Sequence, residues 1–140
     1  MPRKHALAIA GGPEGERRAV LKEFSDLPVL DLKILKSLEK ELTPQGLRSY
    51  LRFFLSGGYE RLEELTAVAN AKDLDQLSCL AHDMVSTAGN IGALQTSCLA
   101  RSLARACRLG DSKAARPLLG ELAIAALASN AAIRRWLNTN

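Results

Sequence analysis

The 140-residue chain has two histidines, His5 and His82, and three cysteines, Cys79, Cys98 and Cys107. A zinc site takes three or four ligands, and two distant histidines do not supply them, so no metal is expected. No two cysteines have the C-x-x-C spacing, and an odd count argues against a disulfide framework; they read as small core residues in a reducing compartment. His82 stands apart. Leu74, Leu77, Ala81, Met84 and Ala88 recur at 3-4-3-4 spacing, the stripe of an amphipathic helix. At ~100° per residue, His82 points roughly 125° from the centre of that stripe, on the water side. Its helical neighbours are short: Ser78 one turn before, Ser86 one turn after, Gly89 two turns after, with Asp75 further out. An open imidazole of this kind suits a nucleophile that must admit a partner, and it equally suits an ordinary surface histidine. A hydrolytic triad would also need a Ser or Cys nucleophile and a carboxylate from elsewhere, which no spacing here encodes.

The elements that would position His82 are helical. Apolar residues are 47% of the chain and aromatic residues 4%, with Leu and Ala dominant, so a single all-α core is expected. Residues 1–28 hold Gly11-Gly12-Pro13, Gly15 and Pro28 without an apolar period, and are expected to be a flexible tail. The domain is expected over residues 29–140. Asp31 caps a first helix carrying Leu32, Leu35, Leu38 and Leu42, and Thr43-Pro44 starts a second with Leu47, Tyr50, Leu51, Phe54 and Leu55. Gly57-Gly58 is expected to stop it, with a third segment from Tyr59 to about Asn70. Asp73 caps the His82 helix, which Asn90-Ile91-Gly92 interrupts or joins tightly to the next. A further helix runs from Ala93 to Leu109, and Asp111 caps the last, where Pro117 predicts a kink or a delayed start. Short joins between such helices imply an antiparallel four-helix bundle with one or two additional N-terminal helices.

The stretch from Leu80 to Ala93 resembles the signature of histidine-containing phosphotransfer (HPt) domains, roughly A-H-x-L-K-G-x-A-x-x-[aliphatic]-G. Ala81, His82, Met84, Ala88, Ile91 and Gly92 occupy matching positions. The segments around Asp31–Leu38, Leu51–Leu55, Leu62–Leu65, Cys98–Leu103 and Leu109–Asp111 are spaced like the family's other helices and turns, so the likeness covers about residues 29 to 137. It implies a phosphorelay carrier without kinase activity. His82 would accept a phosphoryl group from a receiver-domain aspartate and pass it to another receiver. Partners would be response-regulator receivers, a hybrid histidine kinase, or both. The carrier would need no cofactor of its own, Mg²⁺ being held by the receiver. Ser78, Val85 and Gly89 would form the docking surface. Two positions depart from the family: Val85 stands where a Lys is usual and Ser86 where a Gly is usual. In relatives such as the chemotaxis kinase's phosphotransfer domain, the positions matching Arg101 and Ala104 lie beside the ring, the latter carrying a Glu. Arg101, helped by the Ser86 hydroxyl, is the expected substitute for the missing Lys. The alternative reading is a degenerate domain that docks and regulates without being phosphorylated.

Net charge is +4, but residues 23–92 sum to −4 and residues 93–140 to +5, a sum that includes Arg101, Arg105 and Arg108 at i, i+4, i+7. A basic nucleic-acid-binding protein would pair such charge with aromatic platforms, and no aromatic alternates with these arginines. The apolar run Ala6–Ala10 is too short for a signal peptide, and nothing approaches a ~20-residue membrane span. The expectation is a cytoplasmic monomer that binds neither nucleic acid nor membrane.

Overall fold

The structure, a computed structural model, describes residue 22 and residues 24–140. Its helices are α1 (Leu32–Asn70), α2 (Leu74–Asn90), α3 (Leu94–Arg108) and α4 (Ser112–Thr139). Three aspartates begin them as expected. The carboxylate of Asp31 accepts the Lys33 N–H at 2.9 Å, that of Asp73 the Gln76 N–H at 3.0 Å, and that of Asp111 the Ala114 N–H at 3.0 Å. Each satisfies an amide that the first helical turn leaves orphaned. α1, α2 and α3 close alike. The residue after the cap has positive φ (Lys72 59°, Gly92 88°, Gly110 71°). The next N–H then reaches back to the carbonyl five residues earlier, as in Asp73 to Val68, Ala93 to Ala88 and Asp111 to Ala106. That next residue also caps the following helix, so each join is three residues long and consecutive helices run antiparallel.

Three sequence expectations change, and the break at Thr43 holds. Thr43 leaves helical geometry, with φ 68° and ψ 160°, and its Oγ1 accepts the Gly46 N–H at 3.1 Å, so α1 is two helical limbs that meet at a kink, residues 32–42 before it and 44–70 after it. Any further helix of the expected N-terminal pair would fall within residues 1–21 and 23, outside the described residues. Gly57-Gly58 does not stop α1. Gly58 is buried against α4, where an added Cβ would lie 3.1 Å from Asn130 Nδ2, so the glycine serves close approach of two helices. Pro117 lies inside α4 without delaying it. Pro117 gives up the bond to the Lys113 carbonyl, and its ring is buried. Finally, the expected boundary after Pro28 falls within the packed unit. Phe24 is buried and Leu27 packs on the core, while the Gln95 side-chain amide donates to the Leu27 carbonyl and the Gln95 N–H to that of Pro28. The remainder of the expected tail lies outside the described residues.

Two apolar clusters hold the bundle. The larger joins Leu65, Leu77, Ala81, Met84, Leu99, Leu103 and Leu122. The smaller gathers Leu35, Leu47, Leu51, Ala88, Ile91, Ala93 and Ile133 at the end where the first limb of α1 crosses. Arg48 clamps that end by donating to the Leu137 carbonyl at 2.8 Å and to that of Asn140, tying α1 to the last turn of α4. α2 therefore offers Leu77, Ala81, Met84 and Ala88 to the core, and His82 is left outside.

Candidate functional site

Two hydroxyls set the register of α2 against α3. Ser78 Oγ donates to the Ala104 carbonyl at 3.2 Å, and Ser97 Oγ to the Val85 carbonyl at 2.8 Å. Midway between these bonds lie Ala81 and His82 on α2, and Ala100 and Arg101 on α3. Ala81 and Ala100 are both fully buried, so no side chain longer than a methyl separates the helices at this level. His82 and Arg101 follow them and are exposed. At ~100° per residue, each is rotated some 40–60° from the face that touches the neighbouring helix. Because the helices are antiparallel, equal rotations carry both to the same rim of the shared groove. The imidazole and the guanidinium thus stand level, on one side, facing water.

The surrounding positions divide. Ser86 is exposed, one turn beyond His82. Val85 is half-buried and packed on the core, so its backbone carbonyl serves α3 and its side chain adds an apolar margin to the rim. Gly89 is half-buried at the groove floor, where an added Cβ would meet Ser97 Oγ at 3.1 Å. Ser78 corrects the expectation of an open docking residue: it is buried, and its hydroxyl belongs to the α2–α3 contact. Ala104, matched to a ring-orienting position, is likewise buried and lies opposite Ser78, a turn from His82. Ser97 carries the register and had no chemical signature in the sequence beyond being small.

A family model for the Hpt domain matches residues 49–134, more than half of the chain, including all of α2 and α3. The chain belongs to the Hpt domain family. As an Hpt domain it is a phosphotransfer carrier rather than a kinase. Its fold is similar to the crystal structure of histidine-containing phosphotransfer protein B (HptB) from Pseudomonas aeruginosa PAO1. The TM-score is 0.75 at 24% sequence identity, covering 81% of this chain and 97% of that one. A search of curated proteins found no match. Among the described residues of this Hpt domain, no group of three or more His, Cys, Asp or Glu could hold a metal ion, and no helix is long and apolar enough to cross a membrane.

Proposed function

We propose that this Hpt domain is a phosphorelay carrier whose acceptor is His82. The observation that carries the reading is the exposed imidazole at the α2–α3 rim, level with an exposed guanidinium and bordered by Ser86. An unprotonated ring nitrogen of His82 attacks the phosphorus of a receiver's aspartyl phosphate. The P–N bond forms as the acyl-phosphate P–O bond breaks, and the receiver's carboxylate leaves with the electron pair. On the return leg an aspartate oxygen of a second receiver attacks, and imidazole is the leaving group. Such transfer depends on in-line positioning and charge neutralisation, with Mg²⁺ supplied by the receiver's acidic pocket. The carrier presents one nucleophile and needs no cofactor of its own. Response-regulator receivers, a hybrid histidine kinase, or both are the partners, and the working form is a cytoplasmic monomer.

Val85 offers no charge to the phosphoryl oxygens. We assign that role to Arg101, with Ser86 as a neutral donor. A charge-assisted hydrogen bond contributes about 1.5–3 kcal/mol, so its loss shifts the phosphohistidine lifetime or the transfer equilibrium roughly ten-fold or more. The half-buried Val85 also favours a second reading, docking without phosphorylation, and one experiment separates the two. Wild type and His82→Gln are incubated with a phosphorylated receiver. An acid-labile, alkali-stable label on wild type alone supports transfer, whereas tight receiver binding with no label supports docking. Unchanged rate and lifetime in Arg101→Ala would remove Arg101 from the site.

A further inference from the structure

α3 carries three arginines and no Asp or Glu. Arg101, Arg105 and Arg108 recur at i, i+4, i+7 and are all exposed, so they form one stripe along the helix. None makes a hydrogen bond or ion pair among the described residues. The stripe runs from the level of His82 towards the α3–α4 join, where Leu109 is 72% exposed. Lys113 and Arg116, exposed on the first turns of α4, continue the positive charge. The one carboxylate at that join, Asp111, is engaged in capping α4. Across the groove, α2 exposes Asp75 on the rim that carries His82, and Asp83 lies beyond that rim on the outer side of α2. The surface potential therefore changes sign between the two helices that frame His82.

We propose that Arg105 and Arg108, with Leu109 at their end, form a second docking strip. It selects the incoming receiver by acidic side chains that the receiver carries outside its phosphorylation pocket. The inference rests on the reading that a receiver docks over His82. Arg108 lies seven residues from Arg101, about 10 Å along the helix. A standard interface buries about 800 Å² per partner, a disc of roughly 16 Å radius, so the whole strip falls within the footprint of a receiver centred on His82. Placing the attraction on one side of the groove steers encounter and gives it a polarity: acidic receiver residues are drawn to α3 and repelled by Asp75 on α2. Leu109 supplies an apolar contact where the strip ends.

The test compares wild type, His82→Gln and the double variant Arg105→Glu/Arg108→Glu, using a phosphorylated receiver domain with carboxylates around its pocket. Transfer is followed at low and at saturating receiver, in low and in high salt. The expected result is a fall of about ten-fold or more in the second-order rate for the double variant at low salt. That difference shrinks at high salt, and the rate at saturating receiver changes less than two-fold. An unchanged second-order rate overturns the strip while leaving carrier function intact. A loss confined to the saturating rate also overturns it, because the arginines would then act on the bound complex. A wild type that binds the receiver without taking label fails the carrier reading instead, and the strip then stands or falls on whether the double variant weakens that binding. Salt-dependent binding of duplex DNA that is abolished by the same double variant, without effect on the receiver, overturns the strip in favour of a nucleic-acid surface.

Discussion

Gly92 and Gly110 close α2 and α3 with the same left-handed geometry, yet replacing each with alanine should have different consequences. At Gly110, with φ 71°, an added Cβ meets nothing within 4 Å. An alanine there bears the cost of a left-handed conformation, roughly 1–2 kcal/mol, partly offset by a less disordered unfolded chain. Gly110→Ala should therefore destabilise by about 1 kcal/mol. At Gly92, with φ 88°, the Cβ would sit 2.8 Å from the Asp31 carbonyl oxygen, 3.2 Å from the Asp31 nitrogen and 3.3 Å from Ile34 Cβ. Two of these are backbone atoms that no rotamer change can move. Relief must displace Asp31, whose N–H donates to the Gly92 carbonyl at 2.8 Å and whose side chain caps α1. Loss of one hydrogen bond and weakening of one cap add about 2 kcal/mol, bringing Gly92→Ala to about 3 kcal/mol. Urea unfolding of the two variants and wild type measures this directly. With a slope near 2 kcal/mol per M, the variants' midpoints should differ by about 1 M. Gly92 lies ten residues from His82, about 15 Å along α2, so molecules that remain folded should transfer phosphate at the wild-type rate. Equal destabilisation by the two substitutions would refute the claim that the α2–α3 join anchors the start of α1.

Ser78→Ala and Ser97→Ala should each cost about 1 kcal/mol of stability, and together they should slow phosphotransfer more than either alone, because they remove both bonds that hold His82 level with Arg101. Urea midpoints and single-turnover transfer test this, and wild-type transfer in the double variant would count against the register argument. Burial pushes the Cys107 thiol above its ordinary range. A thiol held neutral in the folded state but free to ionise when unfolded leaves stability intact below about pH 8.5 and erodes it as pH rises beyond. A thiol reagent should modify exposed Cys79 first and reach Cys107 only on unfolding; Cys107 labelled at the Cys79 rate in native protein would overturn the assignment.

Much of this Hpt domain is local, and local order is what a sequence expresses. Asp31, Thr43, Asp73 and Asp111 cap the segments they precede because a side-chain oxygen needs only the next two or three amides. The stripe Leu77, Ala81, Met84 and Ala88 is buried and His82 exposed because a helix repeats every 3.6 residues whatever it packs against. Arg101 carries no such local signal; its level beside His82 follows from the two serine bonds between α2 and α3.

Other features depended on which helix comes alongside. Gly58 has a helix breaker's composition, but α4 arrives with Asn130 at that point, and absence of a side chain becomes a means of close contact. Ser78 looked like an open neighbour of His82, but α3 lies on it and takes its hydroxyl, and Ala104 turns inward for the same reason. Phe24 and Leu27 carry no apolar period of their own and read as tail, yet the core accepts them. Periodicity and capping are decided within one or two turns of chain, and the sequence alone determined them. Which exposed face stays exposed is decided by contacts between residues far apart in sequence, and only the packed bundle settled that.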